Sequence, residues 1–551
     1  MGAGSQEVDP EVEQYHTWGE EDNVALSNYL FIICGAVSVA VIIWKLADVI
    51  NKTVRKVACL NNDRQRYFAI PSSTLASVKR HVLYAPIFRK RHNREIQLSS
   101  AVNIGTLPTR FQLLFLTSYF ATNVVFCVID IPFAQTNEIA AAGLRNRAGV
   151  LSVLNMIPLF LLAGRNNPLI PLLGISFDTY NLIHRWFGRI VILEALVHTL
   201  AHYQKAMWQA AAFQATFSLP FLLWGFVATC AFVGLGLQAF SPIRHAYYEV
   251  FKIIHIALAI LAIYALWIHL AKYDQLVWVK AAAGLWIADR ALRVLRVLRS
   301  HVAGSRSRTI VEALPVSRLW QSHPFSIAWV DGVEDSKTER LASTRQDLMA
   351  PQQMRVSYII RARTGFTDSL YKKALAAPGG RLETTCFSEG PYGGHHSLDS
   401  YGTAVLFAGG VGITHQVPYV QHLVAGYSEG TVATRKILLV WTIQSPEHLE
   451  WIRPWMTEIL AMDKRRDVLR IMLFVSQPRS TKEIHSPSST VQMFPGRPNI
   501  DTLLSMEQEH QVGTMAVSVC GPGALGDEVR RAVRARQDRS SIDFIEEAFT
   551  W

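Results

Sequence analysis

Long apolar stretches fill the first half of the chain and stop near residue 292. A run of about 20 apolar residues is long enough for an α-helix to cross the hydrocarbon core of a bilayer. Such runs predict seven spans, at 29–50, 111–131, 148–164, 184–203, 217–238, 251–270 and 275–292. After residue 305 the pattern changes to short apolar runs of strand length. It therefore predicts a multi-domain membrane protein, in which an all-α transmembrane bundle is followed by a soluble module.

The soluble module has the pattern of an α/β domain. Buried strands, each followed by a turn, are predicted in TAVLFAGG (403–410), KILLVWTI (436–443), LRIMLFVS (469–476) and MAVSVC (515–520). Strands that alternate with helices are typical of a parallel sheet. GGVGIT (409–414) is a turn whose glycines let the backbone approach a pyrophosphate, and the following helix N-terminus favours negative charge. CGPG (520–523) is expected at the same carboxyl edge of the sheet, where nucleotides bind.

Two pairs of histidines repeat one spacing of 14 residues inside two separate spans: His184/His198 and His255/His269. Fourteen helical residues rise about 21 Å and complete nearly four turns, so both members of a pair face the same side. A single histidine in a span is most simply a packing residue, but ionisable residues inside membranes are rare and usually functional. Two such helices side by side would hold two metal-bearing planes, and imidazole is a good axial ligand for haem iron.

The placement of charge predicts the orientation in the membrane. The 551-residue chain has a formal net charge of +11, and much of the excess lies in 52–94 and 290–299. Basic loops beside spans are typical of the cytoplasmic side, which argues against a nucleic-acid surface. The N-terminus is then external and the C-terminus cytoplasmic. Six scattered cysteines without a CxxC pair predict neither a disulfide framework nor a zinc site.

This orientation makes the helices at 184–203 and 251–270 parallel, both running from the cytoplasm to the exterior. His184 is therefore expected to pair with His255 near the inner face, and His198 with His269 near the outer face. The paired spacing thus predicts a ladder of two haems across the bilayer.

HPFSIA (323–328), EGPYGG (389–394) and the two Gly-rich turns together resemble the flavin-linked reductases of the ferredoxin–NADP reductase type. With the histidine pairs, residues 110–551 are similar to the fungal ferric/cupric reductases, relatives of the NADPH oxidases. The resemblance implies the following division: an extracellular N-terminus at 1–28, a first transmembrane helix at 29–50, a basic cytoplasmic loop at 51–110, a transmembrane haem domain at 111–300, a β-barrel FAD-binding domain at 305–395 and an α/β NAD(P)-binding domain at 396–551.

The resemblance also implies roles for individual residues. Two b-type haems would be bound by His184, His198, His255 and His269. FAD would be held by His323, Pro324, Phe325, Ser326, Arg361 and Thr367. The turn between the flavin and nucleotide domains would be Gly390, Pro391, Tyr392 and Gly393. The NADPH phosphates would be bound by Gly409, Gly410, Gly412 and Thr414. The nicotinamide would meet Cys520, as the catalytic position, and Gly521. The flavin ring would be stacked by Phe549 or Trp551.

The sequence departs from this family in the flavin domain. Only Val316 separates VEALP (311–315) from SRLWQSHPFSIAW (317–329), where family members have two or three more strands with a PGQH-like segment. The missing strands belong to the barrel, and their loss would leave unpaired edges and a half-open flavin site. The FAD-binding domain is therefore expected to be truncated.

The resemblance implies a plasma-membrane metalloreductase that moves electrons from cytoplasmic NADPH through FAD and two haems to external ferric or cupric chelates. A metal-uptake permease or an oxidase would act downstream. Two alternatives remain open: a superoxide-generating NADPH oxidase, and a haem membrane protein whose flavin domain is inactive. The sequence does not distinguish iron from copper or oxygen as acceptor, NADPH from NADH, or the plasma membrane from the vacuolar membrane, and it leaves the oligomeric state open.

Overall fold

The computed structural model describes residues 10–90, 107–164, 166–204, 218–240, 244, 248–302, 325–332, 354–362, 366–380, 382, 396–478 and 487–547. The chain divides into two compact units. The first comprises Met1–Ala47, Glu95–Ser307 and Phe387–His395, and the second comprises Asp48–Arg94, Arg308–Cys386 and His396–Trp551.

The first unit is helical. Its long helices are α1 (Pro10–Cys59, of which the last turns belong to the second unit), α2 (Arg110–Val128), α3 (Asn137–Leu161), α4 (Phe177–Tyr203), α5 (Pro220–Gln238), α6 (Tyr248–His269) and α7 (Leu276–Val302), and a short helix lies at Leu169–Leu173. Each of the seven predicted spans overlaps one of the long helices. By length and composition, four of the described helical segments could cross a membrane: Glu20–Cys59, Arg110–Val128, Pro220–Gln238 and Val250–His269.

Local sequence sets several helix ends. At the start of α2 the Thr109 hydroxyl accepts from the Gln112 backbone N–H (3.3 Å), and the Gln112 side chain accepts from the Thr109 backbone N–H (2.9 Å), which is a capping box. At the start of α3 the Thr136 hydroxyl accepts from the Ile139 N–H (3.4 Å). Gly174, with φ of 66°, ends the short helix before α4, because a left-handed backbone suits glycine.

Small residues form much of the interface among α4, α5, α6 and α7. The buried alanines are Ala195, Ala228, Ala231, Ala262, Ala265 and Ala282. Small side chains let helices approach closely where lipid tails are as apolar as the protein interior. The apolar residues of these helices are thus divided between an alanine-rich interior and a surface of exposed large side chains, such as Leu237 and Ile253.

A buried polar cluster links α2, α3 and α4. The Asn155 amide nitrogen donates to Glu194 Oε2 (2.9 Å) and to Asn123 Oδ1 (2.7 Å), and the Tyr119 hydroxyl donates to Asn155 Oδ1. Tyr119 also stacks on Phe187, with ring centroids 4.2 Å apart. Since unpartnered polar groups are costly in a lipid environment, this cluster fixes how the three helices pack.

In the second unit, two antiparallel strands are described from the predicted flavin domain: β1 (Ile327–Gly332) and β2 (Met354–Tyr358). A helix, α8 (Phe366–Ala376), follows them. Trp329 on β1 is 1% exposed and stacks on Trp455, with centroids 5.8 Å apart. The hairpin is therefore packed on the nucleotide domain. Much of 305–395 lies outside the described residues, so the predicted truncated barrel stays a prediction.

The predicted parallel sheet is confirmed, and two edge strands that the sequence analysis did not predict, at Val491–Pro495 and Ile542–Glu547, extend it. Its strands lie in the order β6-β5-β4-β3-β7-β8, all parallel. They are β3 (Thr403–Gly409), β4 (Lys436–Ile443), β5 (Leu469–Val475), β6 (Val491–Pro495), β7 (Met515–Cys520) and β8 (Ile542–Glu547). The longer helices are α9 (Ile413–Glu429), α10 (Arg453–Ala461), α11 (Ile500–Glu509) and α12 (Gly523–Arg536). Chain order runs outward in both directions from β3 and β7, so these two central strands form the switch point of the sheet.

Residues 48–90 pack on the amino-terminal edge of this sheet, with short helices at Arg66–Ala69, Ser73–Val78 and Lys79–Leu83. Lys79 pairs with Asp543 (2.5 Å), and the Arg55 guanidinium lies over the Tyr401 ring (4.2 Å). The Gln65 side chain donates to the Ala433 carbonyl (2.6 Å). Residues 51–90 of the predicted basic loop at 51–110 therefore include helices that pack on the nucleotide domain.

Candidate functional site

The histidine pairs come together as the parallel arrangement requires. The ring of His184 on α4 faces that of His255 on α6, with centroids 6.4 Å apart. The rings of His198 and His269, further along the same helices, have centroids 6.2 Å apart. Metal–imidazole bonds are about 2.0–2.1 Å long, so two of them account for roughly 4 Å of either distance, and the depth of the two rings accounts for the rest. Each pair is thus spaced to hold one metal ion between its rings.

Hydrogen bonds orient the rings. The Nδ1–H groups of three histidines donate to backbone carbonyls: His184 to Leu159 (3.0 Å), His198 to Arg145 (2.8 Å) and His269 to Phe221 (2.9 Å). A carbonyl oxygen only accepts, so the proton is on Nδ1 and the lone pair is on Nε2. Histidines that bind metals are usually held in this way. The fourth ring, His255, is hydrogen-bonded to a side chain instead: its Nδ1 atom lies 2.8 Å from Nε2 of Gln238.

Two glycines that the sequence analysis did not single out make room for the second pair. A Cβ on Gly149 of α3 would lie 2.6 Å from Nδ1 of His198, and one on Gly225 of α5 would lie 2.8 Å from Nδ1 of His269. Phe221 also stacks on His269, with centroids 4.4 Å apart. A glycine inside a predicted span was the available signal, but which ring it adjoins depends on how the helices pack.

The donor set fits haem. Two neutral imidazoles face each other at each site, which is the axial ligation that haem iron accepts. Among the described residues, three or more His, Cys, Asp or Glu side chains do not gather into a metal-binding group. A planar cofactor that supplies its own equatorial ligands needs only the two axial residues present here.

In the second unit, both Gly-rich turns lie at the switch point of the sheet, beyond the carboxyl ends of the neighbouring strands β3 and β7. A Cβ on Gly412 would lie 2.2 Å from the Cys520 carbonyl oxygen, and one on Gly409 would lie 2.4 Å from the Pro522 ring. Gly410 has a φ of +55°, in the left-handed region that favours glycine. Its carbonyl oxygen accepts a hydrogen bond from the Trp441 indole N–H (2.9 Å). The two turns touch backbone to backbone, and nucleotides bind at such switch points.

The remaining predicted nucleotide residues support these turns. The Thr414 hydroxyl donates to the Val411 carbonyl (3.0 Å). Cys520 is 1% exposed at the end of β7, and burial raises the pKa of its thiol. Gly521 has φ of +154°, and a Cβ there would lie 2.8 Å from the Gly409 backbone nitrogen. Cys520 is thus a neutral thiol packed under the turn, and a nucleophilic role does not suit it.

The predicted flavin residues are only partly described. Phe325 and Ser326 precede β1 and Arg361 follows β2, so the pairing of Ile327 with Tyr358 places them at one end of the hairpin. Thr367 lies in the first turn of α8. The other predicted flavin and linker residues lie outside the described residues: His323, Pro324, Gly390, Pro391, Tyr392, Gly393, Phe549 and Trp551.

Comparison with known proteins gives two family matches. Residues 148–266 match the model "Ferric reductase like transmembrane component", and residues 401–534 match "Ferric reductase NAD binding domain". The first match contains three of the four paired histidines and stops three residues before His269. The second contains both Gly-rich turns. The two matches therefore fall on the two candidate sites.

The relatives agree with both matches. The chain is 24% identical to ferric reductase transmembrane component 3 of Saccharomyces cerevisiae, over 81% of this chain and 68% of the relative. It is 25% identical to ferric/cupric reductase transmembrane component 1 of Candida albicans, over 86% and 67% respectively. A probable cell surface ferric reductase, kap2 of Aspergillus oryzae, is 27% identical over 69% of this chain and 53% of its own length.

Proposed function

Since the chain carries the transmembrane and NAD-binding domains of the ferric reductases and is homologous to their fungal members, we propose that it is a membrane ferric-chelate reductase. It moves electrons from cytoplasmic NADPH, by way of FAD and two b-type haems, to external Fe(III) or Cu(II) chelates. The observation that supports this proposal most strongly is that α4 and α6 bring their histidines together in two pairs, His184 with His255 and His198 with His269. The same chain also has a sheet with the turns of a nucleotide site.

The four histidines have one role in this proposal. Their Nε2 lone pairs would bind the haem iron, while backbone carbonyls and Gln238 hold the rings in place. When bound, haem iron carries single electrons, and a flavin takes up the two electrons of a hydride and gives them out singly. The helices supply two binding positions about 21 Å apart along the helix axis, since 14 residues separate the members of each pair.

At the nucleotide site, the turns Gly409–Gly412 and Cys520–Pro522 would receive the dinucleotide. Backbone N–H groups at the start of α9 would bind its phosphates, because a helix N-terminus favours anions. Buried Cys520 would shape the floor of the nicotinamide site, and its bulk, not its reactivity, is the property used.

The proposal includes an orientation. The N-terminus is outside and the C-terminus cytoplasmic in a plasma-membrane protein, so the His184–His255 pair would hold the haem nearer the cytoplasmic face and the His198–His269 pair would hold the haem nearer the external face. The basic residues of 52–94 support this orientation, because positive charge beside spans favours the cytoplasmic side. A permease or oxidase for the reduced metal would act next.

The test is an anaerobic absorbance difference spectrum of membranes that contain the full chain. NADPH with added FAD is expected to give most of the b-type signal that dithionite gives, and an added ferric chelate is expected to reoxidise it. If dithionite reduces the b-type signal but NADPH does not, the chain is a haem protein whose flavin domain does not work. A well-folded protein with no b-type signal would overturn the proposal.

A further inference from the structure

One of the four paired histidines is held differently from the others. His255 Nδ1 lies 2.8 Å from the Nε2 atom of Gln238, the last residue of α5. The Oε1 atom of the same amide is buried and has no hydrogen-bond partner among the described residues. At the other three rings the partner is a backbone carbonyl, which is an acceptor only. Among the described residues, Gln238 is thus the one side chain that hydrogen-bonds to a ring of the two pairs.

The two ends of the amide have opposite consequences for His255. If the amide N–H donates to Nδ1, the ring proton is on Nε2, the atom needed as a ligand. A half-turn of the amide brings Oε1 to Nδ1, so that Nδ1–H donates and the lone pair is on Nε2. The buried oxygen then gains a donor. The amide nitrogen then occupies the buried position that Oε1 held, which has no partner among the described residues. A hydrogen-bond acceptor on a bound group would satisfy the nitrogen there.

We propose that Gln238 is the positioning residue for His255 and sets the redox potential of the haem held by His184 and His255 independently of the other haem. The inference rests on the proposed function. Hydrogen-bond partners of this kind fix the tautomer of a metal-bound histidine and raise its basicity. Substituting them typically lowers metal affinity or activity about 10–100-fold. Because Gln238 acts through its side chain, a substitution can change this contact. The other three rings are held by backbone carbonyls, which every residue type has.

The experiment is an anaerobic redox titration of the b-type signal in membranes with the wild-type chain, Gln238→Glu, Gln238→Leu and a control, Leu237→Ala. Leu237 precedes Gln238 and is 67% exposed, so the control tests local disturbance of the helix end. Two components are expected in the wild type. A carboxylate accepts more strongly than an amide and stabilises the oxidised iron. In Gln238→Glu one component is expected to fall in potential by about 59 mV, a tenfold change for one electron.

Gln238→Leu removes the acceptor, so the same component is expected to rise in potential or to be lost, while the second component and Leu237→Ala match the wild type. The retained second component shows that the bundle is folded. Equal shifts of both components, loss of both, or no shift in either variant would overturn the inference while leaving the reductase proposal intact. Absence of any b-type signal from the wild type would overturn both.

Discussion

At the residue scale, the second histidine pair depends on two positions that have no side chain. Gly149 and Gly225 approach the rings of His198 and His269 closely enough that a methyl group would overlap either ring. The same rings are held by the carbonyls of Arg145 and Phe221, so they cannot move away without losing those hydrogen bonds. Ring position, and with it the proposed ligation of haem, is therefore sensitive to one added carbon atom.

We expect Gly149→Ala and Gly225→Ala each to lose or shift about half of the dithionite-reducible b-type signal, since each displaces one ligand of one pair. The measurement is the difference spectrum at matched protein level. Gly284→Ala on α7 is the control, because a Cβ there meets nothing within 4 Å. It is expected to keep the full signal and to stabilise its helix by up to about 1 kcal/mol. Wild-type spectra from both Gly149→Ala and Gly225→Ala would contradict the assignment.

At the element scale, residues 48–90 act as a partner for the sheet. Asp543 at the start of β8 accepts from Lys79 (2.5 Å) and from the Tyr401 hydroxyl (2.8 Å), and Arg55 lies 3.9 Å away. Burial alone would raise the pKa of Asp543, but Lys79, then Arg55 and Tyr401, lower it overall. A carboxylate with a lowered pKa stabilises the folded state above its unfolded pKa, about 3.9, and this contribution is lost as the pH falls through the folded pKa.

Asp543→Asn is expected to destabilise the folded chain by about 2 kcal/mol at neutral pH, because it leaves two largely buried cations without their partner. Asp538→Asn is the control. Its pair with Arg80 is exposed at both side chains, and such pairs contribute at most about 1 kcal/mol. The measurement is thermal unfolding of the detergent-solubilised full chain at pH 7. Equal effects of the two substitutions would show that the contact of 48–90 with the sheet is not a stabilising one.

At the scale of the whole molecule, the nucleotide turns and the histidine pairs belong to different units. In the proposed function, electrons supplied at one unit are transferred to haem in the other, whereas dithionite would reduce that haem directly. A change in the turns can therefore be separated from a change in the bundle by the choice of reductant.

Gly412→Ala is expected to lower NADPH-driven haem reduction at least tenfold and to leave dithionite reduction unchanged. The new methyl group would lie 2.2 Å from the Cys520 carbonyl oxygen, and backbone cannot move as a flexible side chain can. The measurement is the initial rate of b-type absorbance change with each reductant. A parallel loss with dithionite would mean that the substitution had unfolded the chain, and an unchanged NADPH rate would mean that the turn is not the nucleotide site.

Local pattern determined the helices that overlap the predicted spans, the four inner strands of the parallel sheet and the positions of both Gly-rich turns, because apolar run length, strand alternation and glycine are properties of short segments. The 14-residue spacing likewise required each histidine pair to share a helix face. The tertiary structure alone decided that Gln238 meets His255, that Gly149 and Gly225 adjoin the other rings, and that residues 48–90 pack on the amino edge of the sheet. Those contacts join residues that are 17 to more than 400 positions apart in the sequence. Which of such distant residues meet is decided by how the helices and strands pack, and no short segment encodes that packing.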